Sequence, residues 1–392
     1  MSDGSTIEWL NRPGTKPATW NPIRAHDKLT GKRGWFCVHV HGGCVNCYAE
    51  KRNINLGDSG GNGHAYIAQN IDKVDISLHE PTLLQPLKWR QPRTIFVCSM
   101  TDLYGAWVKD EWLDKIKAVQ ALTPRHTYIE LTKRPERMRE YLSAPEFRHR
   151  LIVAIRDLGK QHDALEQASG RRTITPAGII GANAWAASEN LAAAIPGSKP
   201  TLPLPNVWGL VSCSTQEDAD KFIPILLNTP LAIRGVSAEP LLGPIDFTRL
   251  ARAPDKYDRE MPGFGNVTSF YLDALTGLNG ITFPGNGNIP INAETSTGHG
   301  LNWVIIGGES GRNARPMHPD WARAIVSQCE AAGVAVFMKQ WGEWAPYDRG
   351  RVDSANLATP KSLDTPMQAV GKKLSGRLLD GRTYDGFPET TP

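Results

Sequence analysis

Six short apolar runs, each stopping at a knot of polar residues, constrain this chain more than any other feature. Thr94-Ile-Phe-Val-Cys-Ser99 runs into Met100-Thr101-Asp102, and His126-Thr-Tyr-Ile-Glu-Leu131 into Thr132-Lys133-Arg134-Pro135. Asn206-Val-Trp-Gly-Leu-Val211 leads to Ser212-Cys213-Ser214-Thr215-Gln216, and Leu231-Ala-Ile-Arg-Gly-Val236 to Ser237-Ala238-Glu239-Pro240. Trp303-Val-Ile-Ile306 precedes Gly307-Gly308-Glu309-Ser310-Gly311, and Val334-Ala-Val-Phe-Met338 precedes Lys339-Gln340-Trp341-Gly342. Runs that are apolar throughout, rather than alternating, suit strands covered on both faces, as in a parallel sheet. Helical periodicity fills the intervals. Glu111–Leu122 sets Trp112, Ile116, Val119 and Leu122 near one stripe; Pro319–Glu330 does the same with Trp321, Ile325 and Cys329, and Gly333 ends it. The expected fold class is therefore α/β, a full or partial (β/α) barrel of parallel strands with insertions. Such folds bind ligands at the carboxyl ends of their strands, where all six polar knots fall.

The 392 residues fit one barrel, expected over residues 1–345, with a C-terminal extension at 346–392 that is polar and proline-bearing. Insertions are expected at about 160–203, rich in Ala, Gly, Ser and Pro, and at about 250–300, rich in Gly, Asn, Pro and Thr. Loops of that length serve as lids, partner surfaces or disordered insertions. A net charge of +4 is mildly basic, compatible with an anionic partner without demanding one. Arg90-Gln-Pro-Arg93, Lys133-Arg134 and Arg148-His-Arg150, with many tryptophans, are the candidate DNA-facing patches. No run is long and apolar enough to cross a bilayer and the amino terminus lacks a basic leader, so a cytoplasmic protein with no membrane partner is expected. Six cysteines are too sparse for a disulfide scaffold; metal ligation in a reducing compartment suits them better.

Three of those cysteines share one loop, Cys37-Val-His-Val-His-Gly-Gly-Cys44-Val-Asn-Cys47-Tyr48, directly after a stretch expected to be the first barrel strand. Three thiolates close in the chain can hold a soft metal centre and leave one coordination position open. The spacing is not one of the common four-cysteine zinc patterns, yet His39 and His41 leave a zinc centre open, structural or hydrolytic. The strand ends supply further candidates. Lys133 and Arg134 suit a carboxylate or phosphate. Ser212 and Gln216 suit a ribose or substrate hydroxyl. Glu239 closes an apolar run, where a lone carboxylate is costly unless paired, and is a candidate catalytic residue. Lys339 leaves a fully apolar strand beside Gln340 and is the second catalytic candidate. Gly307-Gly308-Glu309 permits close backbone approach to a ligand. Cys98 and Cys329 read as core, and Cys213 as near the site.

Several blocks carry a resemblance: Thr19-Trp-Asn-Pro22, Cys37 through Cys47-Tyr-Ala-Glu50, Ser99-Met-Thr-Asp-Leu103, Leu131-Thr-Lys-Arg-Pro-Glu-Arg-Met138, Glu239-Pro-Leu-Leu-Gly-Pro244, Gly307-Gly-Glu-Ser-Gly311 and Lys339-Gln-Trp-Gly342. In this order they resemble the radical S-adenosylmethionine superfamily, in a phage-associated branch with a Cys-x6-Cys-x2-Cys loop. The spacing departs from the superfamily's usual Cys-x3-Cys-x2-Cys. The resemblance implies a [4Fe-4S] cluster on Cys37, Cys44 and Cys47, with S-adenosyl-L-methionine chelating the fourth iron and giving a 5′-deoxyadenosyl radical that abstracts a substrate hydrogen. It implies Tyr48 beside the adenine and Ser99, Thr101 and Asp102 near the methionyl ammonium, with Asp102 as a helix cap the structural alternative. Lys133, Arg134, Ser212, Gln216 and Glu309 complete the expected cofactor-binding set. The implied partners are a reductant such as flavodoxin or ferredoxin and double-stranded phage DNA, with isomerisation of an amino-acid-modified thymine as the reaction in the host cytoplasm. Two other classes remain: a zinc-dependent hydrolase or nuclease on the same barrel, and a non-catalytic phage interaction protein stabilised by a metal.

Overall fold

The structure, a computed structural model, describes residues 4–55, 60–169, 202–252, 267, 269–283, 287–294, 299–346, 357–358 and 366–389. Its main sheet has seven strands in the order β1 (Lys16–Trp20), β5 (Arg93–Val97), β6 (Thr127–Thr132), β7 (Val207–Ser212), β8 (Ile233–Ala238), β13 (Trp303–Gly307) and β14 (Ala335–Gln340). The order follows the chain, and β1–β5, β5–β6, β8–β13 and β13–β14 all pair in parallel. Strands β5, β7, β8 and β13 are buried at every position, as continuous apolar runs require. This is the α/β class with a partial (β/α) barrel order. All six apolar runs are strands, within a residue or two at each end.

The first strand lies elsewhere than expected. Lys16-Pro-Ala-Thr-Trp20 is too short and polar at its start to stand out, and gains its strand character by pairing with β5. The stretch before the cysteine loop instead forms a small antiparallel sheet, in the order β3 (Arg33–Gly34), β2 (Ile23–Asp27) and β4 (Val74–Leu78).

The chain divides into two compact units, and the boundary falls inside the cysteine loop, between His39 and Val40. The first unit holds β1 to β6 with helices α1 (Tyr48–Ile54, from its second residue), α2 (Asp110–Ala121), α3 (Pro135–Ser143) and α4 (Phe147–Ser169). Helix α2 buries Leu113, Ile116 and Val119. It also buries Lys117, whose Nζ lies 2.7 and 2.6 Å from the two oxygens of Glu130 on β6. The Tyr104 hydroxyl and Gln120 amide, each 2.7 Å away, donate to the same carboxylate, so the buried Glu130 carboxylate accepts four hydrogen bonds.

The second unit holds β8 to β17 with α5 (Gln216–Leu227) and α6 (Pro319–Ala332). Thr215 caps α5 by accepting from Asp218 N, and Gly333 ends α6 in the left-handed conformation at φ 68°. Residues 250–300, expected to be an irregular insertion, carry a four-stranded antiparallel sheet, β12 (Gly287–Glu294), β11 (Leu278–Phe283), β10 (Ser269–Asp273) and β9 (Leu250–Ala251). The expected insertion at 160–203 continues α4 to Ser169; its Gly170-Arg-Arg172 turn lies outside the described residues. Near the carboxyl terminus β15 (Trp344–Pro346), β17 (Met367–Ala369) and β16 (Leu357–Ala358) form a three-stranded sheet. Phe387 then lies against Trp303 and Phe337.

Candidate functional site

In the first unit, the strand ends hold the leading half of the cysteine loop through backbone oxygens. Thr101 Oγ1 donates to Phe36 O, and Arg134 Nη2 donates to Val38 O at 2.9 Å. His39 N donates to Tyr66 O at 3.2 Å, and its ring Nε2 lies 3.0 Å from Glu50 Oε2. Glu50 Oε1 in turn accepts from Tyr66 N. Cys37, between Phe36 and Val38, is thus carried on a segment tied down on both sides.

Asp102 organises the ends of β5 and β6. Its Oδ1 accepts from Tyr104 N at 3.0 Å and Thr132 Oγ1 at 2.7 Å; its Oδ2 accepts from Lys133 N at 3.0 Å. Arg134 Nη1 is 3.5 Å from Oδ2, with its guanidinium over the Trp107 ring. The carboxylate is therefore occupied by neighbouring strand ends. It does not cap α2, which begins at Asp110. Ser99 exchanges hydrogen bonds with the Asn21 amide, whose oxygen also accepts from Met100 N.

In the second unit, the trailing half of the loop is clamped by Glu309 and Arg315. Glu309 follows β13; its side chain is 5% exposed. Oε2 accepts from Asn46 Nδ2 at 2.9 Å, Arg315 N at 2.8 Å and Arg315 Nε at 2.9 Å, and Oε1 accepts from Arg315 Nη2 at 2.6 Å. Burial alone would raise this carboxyl, but the bonds from Arg315 and Asn46 override it and hold it below the usual carboxylate range. Arg315 Nη2 also donates to Gly42 O, and Asn46 Nδ2 to Asn313 O, each at 3.0 Å. Asn46 stands between Cys44 and Cys47, so these bonds fix the two-cysteine turn, whose own backbone closes with Cys47 N to Cys44 O at 3.1 Å. Gly43 permits the approach: a Cβ there would overlap Ser214 Oγ. His41 Nδ1 accepts from Gly43 N at 3.1 Å and lies 3.4 Å from Asp218 Oδ2, which accepts from Ser214 N.

The remaining second-unit candidates gather around Glu239. Lys339 Nζ lies 3.0 Å from its Oε1, Ser237 Oγ donates to its Oε2 at 3.0 Å, and Ser212 Oγ donates to its backbone oxygen at 3.1 Å. A side chain at position 307 would overlap this carboxylate, which gives Gly307 its reason. Gln216 does not join the group. Its amide donates to Asp220 Oδ1 and Asp246 O and accepts from Asp246 N, holding the loop after β8. Glu309 belongs to the cysteine-loop clamp rather than to a ligand-facing glycine turn. Gln340 Nε2 donates to Ser310 Oγ. Tyr48 opens α1 and is 56% exposed.

The six cysteines are thiols. Cys98, Cys213 and Cys329 are buried, and burial pushes the Cys329 thiol up to about 12; Cys98 is likewise raised by burial. Among the described residues, no three His, Cys, Asp or Glu side chains are gathered into a metal-holding group. The fit of the loop to an iron–sulfur cluster is one of donor type: three soft thiol donors, with both loop histidines engaged by Glu50 and by Gly43 N.

Each candidate basic patch has one arginine spent internally, while Arg90, Arg148 and His149 are exposed. Arg93 is 7% exposed and stacks on Trp89. Arg150 pairs with Asp110, Asp114 and Glu146, and Arg134 with Asp102.

Sequence reasoning missed Asn46, Arg315, Asn21, Glu50 and Asp218. Asn21 and Glu50 lie inside conspicuous blocks, but Arg315 has no local signal, since only folding brings it to Gly42.

The fold defines an α/β protein of seven parallel strands with a thiol-bearing loop tied to strand-end residues. Over residues 4–388 the chain matches the family described as "Protein of unknown function (DUF5131)", and it belongs to that family. No curated protein and no solved structure matches it. Among the described residues, no helix is long and apolar enough to cross a membrane.

Proposed function

We propose that the chain is a radical S-adenosylmethionine enzyme whose Cys37, Cys44 and Cys47 hold a [4Fe-4S] cluster. The observation that carries this reading is the loop itself: three thiols on a segment whose halves are each tied to strand-end residues of their own unit. When bound, the cluster and S-adenosylmethionine supply a 5′-deoxyadenosyl radical able to abstract a substrate hydrogen.

The chain's own residues orient and enclose. Asn46, Glu309 and Arg315 hold the turn bearing Cys44 and Cys47, and Arg134 and Thr101 hold the backbone beside Cys37. Ser99 and the exposed Tyr48 flank these segments in sequence. Glu239 and Lys339 form the polar pair offered to the substrate. Lys339 Nζ is the proton-bearing atom and Ser237 fixes the carboxylate. The proposed substrate is an amino-acid-modified thymine in double-stranded phage DNA, isomerised by moving its attachment from nitrogen to carbon, with flavodoxin or ferredoxin as electron donor in the host cytoplasm.

The test is anaerobic reconstitution with iron and sulfide, followed by reduction in the presence of S-adenosylmethionine. The expected result is about four irons per chain and formation of 5′-deoxyadenosine, both lost in Cys37→Ala, Cys44→Ala and Cys47→Ala. Stoichiometric zinc that survives reconstitution, with no 5′-deoxyadenosine, would overturn the reading.

A further inference from the structure

The small β3–β2–β4 sheet has one face that the cysteine chemistry does not use. Its inner face packs Ala25 and Val74 with Phe36, and Ile76 lies against them. Alternation then puts Arg24 and His26 on the outer face, in a strand whose burial alternates residue by residue. Register places Arg33 opposite His26 and Ser77 opposite Arg24. His79, the first residue past β4, is anchored by its N–H to Pro22 O and by Nδ1 to Thr82 Oγ1 at 2.8 Å. Four basic side chains therefore share one face and its edge.

Their partners set this cluster apart from the patches read in the sequence. Arg24 is held over the Trp35 ring, its Cζ 5.0 Å from the centroid. Among the described residues, Arg24, His26 and Arg33 make no ion pair or side-chain hydrogen bond, unlike Arg134 and Arg150. The acid on this face is Asp75, opposite His26 in register, largely exposed and 3.9 Å from Lys28. Burial first, and then the charges of Arg24, Arg33 and His26, push His79 below its ordinary value. A half-buried guanidinium with a fixed ring beneath it and cations around it is preorganised for an anion, because the cost of gathering these charges is already met by the fold.

We infer that this outer face, carrying Arg24, His26 and Arg33 with His79 at its edge, is a phosphate-binding surface that holds the backbone of double-stranded DNA. DNA as the source of the phosphate rests on the thymine reading given above; the phosphate site itself does not. Guanidinium forks match phosphate oxygens, and such contacts position a duplex without reading its sequence.

The test measures the affinity of the full-length protein for duplex DNA against salt, for wild type and for Arg24→Gln/Arg33→Gln. Each neutralised phosphate contributes about 0.9 to the slope of log affinity against log salt. The double variant should therefore lose about 1.8 from the slope, so that wild type falls about 12-fold further than the variant between roughly 50 and 200 mM salt. Lys373→Gln, on a distant segment of the chain, is the control and should leave the slope unchanged to well under the about 0.9 of one phosphate contact. An unchanged slope in a double variant with an unchanged melting curve would overturn the inference. Inorganic phosphate alone, followed by its phosphorus resonance, distinguishes the source. Arginine-dependent broadening without any duplex binding overturns DNA as the occupant. Formation of 5′-deoxyadenosine, scored separately, reports on the radical reading: arginine-dependent DNA binding without it leaves this surface standing and removes that reading.

Discussion

Replacing Glu309 by Gln should loosen the Cys44–Cys47 turn without removing any cysteine. The carboxylate accepts four hydrogen bonds, one from Asn46 and three from Arg315, at 2.6 to 2.9 Å. A glutamine keeps one acceptor oxygen, loses the other, and turns an amide N–H₂ toward a guanidinium N–H. One charge-assisted bond, worth about 1.5–3 kcal/mol, is lost; the bonds from Asn46 Nδ2 and Arg315 N become neutral bonds of about half the strength, and a remaining guanidinium bond keeps charge on its donor only. Arg315 is 37% exposed against 5% for Glu309, so water recovers part of the loss on the arginine side. The expected net effect is about 2–3 kcal/mol on opening of the loop, which is roughly 30- to 150-fold in its open population. The assay is alkylation of the metal-free protein, with Cys44 followed by peptide mass spectrometry. Cys44 is 8% exposed in the closed loop, so its labelling reports opening. Asn46→Ala should give a smaller acceleration, since it removes one bond to Glu309 and one to Asn313 O, both from a neutral amide, and leaves the Arg315 bonds in place. Labelling of Cys44 in Glu309→Gln within about threefold of wild type, less than 1 kcal/mol, would show that the clamp does not hold the turn.

Two further outcomes follow from buried charge. Lys117→Met strands the Glu130 carboxylate in the core and should cost about 3–5 kcal/mol in urea unfolding. Lys117→Met/Glu130→Gln should cost less than the single change, because no charge remains buried; a single-variant loss under about 1 kcal/mol would mean that water reaches the pair. Burial lowers His126 from 6.5 to about 4, so between those values the unfolded chain binds a proton that the native chain does not. Its contribution is complete above pH 6.5 and is lost as pH falls toward 4, by about 3 kcal/mol at most. His126→Phe should flatten the dependence of the urea midpoint on pH over that window, and equal slopes for the two proteins would refute the assignment.

The legibility of the fold followed burial. Strands β5, β7, β8 and β13 are covered throughout, so most of their residues are apolar and the run showed itself, with Arg93, Thr94, Ser212, Arg234 and Ser237 as buried polar exceptions. Strand β1 begins Lys16-Pro17, with Lys16 exposed, and was legible only through its parallel pairing with β5. The antiparallel strands across residues 250–300 are short, and their apolar residues stand among Gly, Asn, Pro and Thr, so the stretch reads locally as loop. At the site, residue types were legible where they were chemically unusual, as with Cys37, Glu239 and Lys339. Their roles were not. Asp102 and Gln216 resemble ligand-facing groups in sequence, yet their polar atoms are used to fasten neighbouring loops.

By itself the sequence determined the parallel α/β architecture and the identity of the thiol loop, because periodicity and residue chemistry are local properties. Only the tertiary structure decided which charges are spent and which are left over. Arg315 reaches Gly42 across most of the chain, Arg150 is absorbed by three acids, and Arg24 is left over a tryptophan ring. Electrostatic pairing depends on distance in space, and a linear sequence does not contain that distance.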